Sequence, residues 1–177
     1  MSTFTGFTWE HYQSLFSDSR LISIVVQTFV LAFLSALLAT IIGTFGAMGI
    51  YYTRKRNSRN VLLGLNNILM VSPDVIIGAS FLILFTMLGG VLKNFQLGFV
   101  SVLLSHIAFS IPIVVLMVLP KLKEMNDSMI DAARDLGANN FQVLSNIILP
   151  FLTPGIIAGY FMAFTYSLDD FAVTFFV

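Results

Sequence analysis

Cysteine is absent from this 177-residue chain. That removes disulfides and thiolate chemistry, whether catalytic or metal-binding. Histidine occurs only at His11 and His106, with no neighbouring ligand spacing that suits zinc. Charge is scarce: 10% of residues are Asp, Glu, Lys or Arg, against about 25% in an average soluble domain. Formal net charge is zero, which argues against a nucleic-acid partner. No phosphate-binding loop of the Walker type is present, so this chain cannot itself supply ATP hydrolysis. No secretory leader is visible either, since the first residues mix apolar side chains with Glu10, His11, Asp18 and Arg20.

What the chain does have is apolar length. Hydrophobic residues make up 57% of it. Four segments, residues 21–52, 61–88, 97–119 and 151–177, are long enough to cross a bilayer, which takes roughly 20 helical residues. Lipid leaves no water for unpaired backbone groups, and no alternating barrel pattern occurs, so the spans are expected to be helices. The fold class is therefore all-α integral membrane, a polytopic helical bundle. Small residues recur at helical spacing in two spans: Ser35, Ala39, Gly43 and Ala47 in one, Gly155, Gly159 and Ala163 in another. Such stripes let backbones approach closely and need no further role. Pro112 is expected to kink the third span. Trp9 and Tyr12 fit an interfacial anchor.

Basic residues orient the spans. Arg54, Lys55, Arg56 and Arg59 follow the first; Lys121, Lys123 and Arg134 follow the third; only Arg20 and Lys93 fall on the other side. By the positive-inside rule the loop at about 121–150 is cytoplasmic, and residues 1–20 and the turn at 89–96 are extracytoplasmic. An outside N-terminus without a leader has no obvious route across the membrane, and residues 171–177 end on an apolar run. The expectation is a chain cut at both ends.

The cytoplasmic loop is the most structured polar stretch. Asn126 or Asp127 can cap a first helix running through Ala132, Ala133 and Leu136. Gly137 stands where a left-handed C-terminal cap is wanted. Asn139 or Asn140 can cap a second helix, expected to end near Pro150. The order Asp131-Ala132-Ala133, three residues, Gly137, nine residues, Ile147-Ile148-Leu149-Pro150 resembles the EAA loop of ABC importer permeases. There the pattern is Glu-Ala-Ala, three residues, Gly, nine residues, Ile-any-Leu-Pro. Asp131 departs from the usual Glu, keeping the charge and shortening the reach.

Three carboxylates lie in or beside apolar spans: Asp74, Asp169 and Asp170. An Asp at a span centre costs about 2.5–3.5 kcal/mol on insertion scales, which makes each a candidate functional residue. Asp74 follows Ser72-Pro73. One reading is local: Ser72 caps, Pro73 opens a restarted helix, and Asp74 complements its dipole. The other is a carboxylate at a broken helix lining a pathway. The two are compatible. Adjacent residues point about 100° apart on a helix, so one of Asp169 and Asp170 is expected in the pathway and the other bonded to a neighbouring helix. An interfacial pair outside the hydrocarbon is the alternative. Tyr166, one turn earlier, can share an aromatic–carboxylate surface with them, a combination suited to an organic ammonium. His106 is expected to be a buried interhelical hydrogen-bonding residue. No catalytic set and no metal motif is found.

Met70-Val71-Ser72-Pro73-Asp74, Ser105-His106-Ile107, Ala132–Ala138 and Ser167-Leu168-Asp169-Asp170 narrow the resemblance to the spermidine/putrescine branch of the MetI-like type I ABC importer permeases. It runs from about Phe7 to the last residue. The resemblance implies a transport subunit, not an enzyme, in the cell membrane. It implies a second homologous permease chain, a cytosolic ABC ATPase dimer that uses ATP and Mg, and an extracytoplasmic polyamine-binding protein; no cofactor would be bound by this chain. Asp131, Ala132, Ala133 and Gly137 would form the coupling helix seated on the ATPase. The four spans would be the second to fifth of six. Alternatives are a permease for ferric iron, thiosulfate or a sugar, an independent channel or membrane enzyme, or a structural partner whose sister chain holds the substrate.

Overall fold

The computed structural model describes Trp9 and residues 16–91 and 97–177. Most of the segment 1–20, Tyr12 of the expected anchor, and Lys93 with most of the 89–96 turn lie outside the described residues. Trp9 itself is exposed.

The first helix, α1, spans Ser19–Tyr52. Its start is set by Asp18, whose carboxylate accepts from the N–H groups of Arg20 and Leu21 at 2.9 and 3.4 Å. No proline interrupts it, so 34 residues run unbroken. At 1.5 Å per residue that is about 51 Å, longer than the roughly 30 Å hydrocarbon core. Next come α2 (Arg56–Val71), α3 (Asp74–Val91) and α4 (Phe99–Glu124). The loop holds α5 (Asp127–Asp135) and α6 (Asn140–Val143). A π turn (Leu144–Ile148) leads into α7 (Leu149–Asp169), and α8 (Ala172–Phe176) follows.

Helices α1, α4 and α7 form the core of the described bundle. The small-residue stripes are what bring them together. Ser35, Ala39, Ala47 and Ala163 are fully buried. Val114 of α4 sits between two glycines. A Cβ built on Gly43 would lie 2.7 Å from Val114 Cβ, and one on Gly159 would lie 3.3 Å from Val114 Cγ1. Leu122, Val118 and Leu152 extend the same core toward the loop. The outer face of α1, with Val25, Phe29, Phe33, Ile41 and Phe45, is exposed and apolar. That is what a lipid-facing surface requires. Three helices are long and apolar enough to cross a membrane, or four if α2 and α3 together make one bent span.

The second apolar segment is thus not one straight helix. It breaks at Ser72-Pro73 with a 107° bend. Pro73 disfavours helical geometry at the residue before it, and Ser72 is extended at φ −71°, ψ 137°. Ser72 does not cap α3 as expected. Its hydroxyl donates backwards to the Ile68 carbonyl at 2.7 Å. Pro73 supplies the first carbonyl of α3, accepting from the N–H groups of Ile76 and Ile77. Asp74 opens that helix, where its charge complements the dipole. α3 packs on α8 through Gly78, where an added Cβ would lie 2.8 Å from Phe176 and 3.2 Å from the Ala172 carbonyl. A second apolar cluster forms there, with Ile77, Phe85, Phe109, Val173 and Val177. The fourth apolar segment likewise divides, α7 ending at Asp169 and α8 starting at Ala172. α4 stays helical through Pro112.

The loop elbow is closed by local chemistry. Asn126 Oδ1 accepts from the Ser128 N–H at 3.0 Å. Gly137 has φ +85°, and the N–H groups of Gly137 and Ala138 bond to the carbonyls of Arg134 and Ala133. That pair is the Schellman closure, which needs a left-handed residue at this position. Asn139 and Gln142 satisfy each other's backbone N–H at 2.9 and 2.8 Å. The second loop helix does not stop near Pro150, however. The π turn precedes the proline and the helix continues into α7. A proline lacks a donor and crowds the carbonyl four residues back, and the wider π turn absorbs that mismatch.

Candidate functional site

The bend at Ser72-Pro73 and the end of α7 meet. Asp74 starts α3, Tyr166 lies on the last turn of α7, and Asp169 and Asp170 close it. Together with Phe171 and Ala172 they line one cavity of about 240 Å³. All four pathway residues expected from the sequence are therefore brought to one place. The Tyr166 hydroxyl donates to Asp74 Oδ1 at 3.1 Å. Its ring stands edge-on to Phe109, centroids 5.1 Å apart at 89°, a favoured aromatic geometry.

The two adjacent acids have different surroundings. Asp170 accepts from the N–H groups of Val173 and Thr174 at 3.2 and 3.0 Å and from the Thr174 hydroxyl at 3.1 Å. Its Oδ2 also lies 3.4 Å from His106 Nε2, with the Asp170 side chain only 7% exposed. Asp169 is exposed. His106, on α4, is fully buried. Its Nδ1 lies 2.7 Å from Ser167 Oγ and its Nε2 3.0 Å from Thr174 Oγ1. The expected interhelical role of His106 is what the geometry shows. The sequence does not single out Thr174, and it offers Ser167 only as part of the Ser167–Asp170 element. The Asp170–Thr174 spacing, one turn of a short helix, is the signal that could have revealed Thr174. Ser35, expected only to pack, also bonds Ser167 Oγ at 2.9 Å.

At the other end of the bundle, the four loop residues divide. Ala133 is buried against the core, while Asp131, Ala132 and Gly137 are exposed. Leu136 does not lie within the first loop helix. It is the C-cap and is 90% exposed, and Phe141 is exposed as well. The loop thus presents apolar side chains on a polar surface. Behind it, Tyr52, Asp127, Asp131, Arg134 and Asn140 line a second cavity of about 440 Å³. Among the described residues, no group of three or more His, Asp or Glu could hold a metal ion.

Residues 39–177 match the family described as the binding-protein-dependent transport system inner membrane component. The chain belongs to that family. It is therefore a multi-pass membrane protein of the transport class. It is similar to the spermidine/putrescine transport system permease protein PotC of Haemophilus influenzae, 38% identical over 97% of this chain and 65% of the relative. The PotC protein of Escherichia coli K12 is 40% identical over 97% of this chain and 63% of the relative. The chain thus spans somewhat under two thirds of the length of these relatives. Among solved structures, a chain from inward-facing conformations of the MetNI methionine ABC transporter is similar. The TM-score is 0.66 at 21% identity, covering 84% of this chain and 69% of that one. That likeness carries the MetI-like fold expected from the loop pattern.

Proposed function

We propose that this chain is a permease subunit of an ATP-driven polyamine importer, with its pathway at the cavity of Asp74, Tyr166 and Asp169. The observation that carries the reading is the convergence of these side chains at a helix break. They sit in a chain 38–40% identical to spermidine/putrescine permeases. A polyamine is a flexible run of ammonium groups and methylenes. Exposed carboxylates bind the former and aromatic walls, here Tyr166 and Phe171, suit both. The cavity lining holds no Lys, Arg or His, which disfavours an anion such as thiosulfate. Among the described residues no three His, Asp or Glu side chains are placed to hold a metal ion, which disfavours ferric iron.

The partners follow the family. A second permease chain completes the pathway, an extracytoplasmic binding protein delivers cargo, and a cytosolic ATPase dimer uses ATP and Mg. In this reading the membrane orientation places the loop in the cytoplasm. Its exposed Asp131, Ala132, Gly137 and Leu136 seat on the ATPase, while Ala133 keys the loop to the bundle. ATP binds the closed ATPase dimer more tightly than the open one, and that difference shifts the permease between its two access states.

The test uses the full-length permease with its partner subunits in cells lacking other polyamine uptake. Asp74→Asn and Asp169→Asn are each expected to lower the initial spermidine uptake rate about fivefold or more, the loss of a half-exposed charge contact. Normal uptake in both, with the complex assembled, overturns the assignment. Unchanged polyamine uptake alongside competition by iron or sugars would move the cargo class.

A further inference from the structure

We infer that His106 is a positioning residue for the cavity, acting through Asp170, and that it sets discrimination between cargo amines of different length. The inference rests on the polyamine reading above.

The hydrogen-bond directions form one chain. A carboxylate only accepts, so the Thr174 hydroxyl gives its proton to Asp170 Oδ2. Thr174 Oγ1 must then accept from His106 Nε2. In a neutral ring the proton sits on Nε2, so Nδ1 accepts from the Ser167 hydroxyl at 2.7 Å. Ser167 Oγ also lies 2.9 Å from Ser35 Oγ, whose hydroxyl donates to the Ala32 carbonyl at 3.1 Å. The line runs from α1 through α7 and α4 to the head of α8. Ser167, His106 and Asp170 have the connectivity of a nucleophilic triad, but Ser167 is 2% exposed, so no substrate reaches it. Hydrolysis is excluded and a holding role remains.

What is held is Asp170. Both of its oxygens face donors from α8 or from His106. It sits at the cavity wall with its oxygens engaged by the helix head, while its neighbour Asp169 stays exposed there. The spacing of Asp169 from Asp74 is then fixed by the lock one residue away. Without His106, Thr174 and Ser167 each lose a partner and the Asp170 carboxylate, already part of the cavity wall, is held only by the head of α8. A loosened third carboxylate there engages cargo more readily and favours a triamine over a diamine.

The measurement is the ratio of initial spermidine to putrescine uptake by the full-length permease with its partners, a ratio that cancels differences in assembled amount. His106→Ala is expected to raise it about fivefold, one exposed charge contact. His106→Gln keeps a donor toward Asp170 and is expected to stay within about twofold of wild type. Should His106→Ala fail to assemble, Thr174→Val, similar in shape and lacking the hydroxyl, is expected to shift the ratio in the same direction. An unchanged ratio with both rates reduced in proportion overturns the inference. Asp169→Asn separates the two levels. If it and Asp74→Asn both leave spermidine uptake normal, the cavity assignment above fails. If it impairs uptake while the His106 and Thr174 variants leave the ratio alone, only the positioning role fails.

Discussion

Gly43 offers the sharpest test of how this bundle is held. Replacing it with Ala adds one methyl group where α1 and α4 nearly touch. The new Cβ would sit 2.7 Å from Val114 Cβ, 2.8 Å from Val114 Cγ1 and 3.2 Å from the Ile111 carbonyl. Ordinary carbon contacts are about 3.5–4.0 Å, so the helices must part. Val114 cannot swing aside, because Cβ is fixed to the backbone and the residue is fully buried between Gly43 and Gly159. Overpacking of this kind costs about 1–3 kcal/mol, or roughly 2–12 °C in Tm for a chain of this size. Gly49, on the same helix, has nothing within 4 Å of an added Cβ. Gly49→Ala should therefore be neutral or stabilising by up to about 1 kcal/mol through helix propensity. Thermal unfolding of the purified permease in detergent, followed by circular dichroism, compares the two. A further arm is decisive. Val114→Ala leaves its Cβ in place and should not rescue Gly43→Ala. A Gly43→Ala protein as stable as wild type, or one rescued by Val114→Ala, would refute the close-approach argument.

Two more perturbations probe the ends of the molecule. Gly137→Ala places an L side chain at φ +85°, a strain of about 1–2 kcal/mol that Asn tolerates better; because nothing among the described residues lies within 4 Å of the added Cβ, any loss in Gly137→Asn reports the partner. Both variants are expected to lower polyamine-stimulated ATP hydrolysis, and full stimulation in Gly137→Asn would count against seating on the ATPase. Tyr166→Phe removes the hydroxyl on Asp74 but keeps the ring against Phe109; spermidine uptake should fall by roughly threefold to tenfold, the worth of about 1 kcal/mol, and wild-type uptake would show that Asp74 needs no such partner.

How legible each element was depends on the reach of its cause. The elbow caps at Asn126, Gly137 and Asn139 are set by atoms a few residues apart, and the sequence pattern finds them. The helix restart at Pro73 is equally local. The 107° angle of that restart is not. It depends on α3 packing against α8, whose contacts pair Gly78 with residues almost a hundred positions later. That Asp169 and Asp170 differ in their surroundings follows from their adjacency on a helix, but which acid is bonded depends on the register of α7 against His106. Leu136 continues the apolar spacing of the first loop helix, which is why the pattern places it there. The Schellman closure ends the helix before it and turns it outward. Pro150 read as a stop because proline usually is one; a π turn is a tertiary accommodation that no residue type announces.

The continuity past Pro150 makes a lever of the loop and α7. From Asn140 to Asp169 the chain forms 30 helical residues, about 45 Å long. Its tightest backbone contacts with α4, at Gly155 and Gly159, fall close to the midpoint. Each arm is therefore roughly 20 Å. A tilt of about 10° around that fulcrum would carry the Asn140 end and the Asp169 end some 3–4 Å in opposite directions. Load applied at the Asn140 end would reach the acidic cavity inverted in direction and little changed in size.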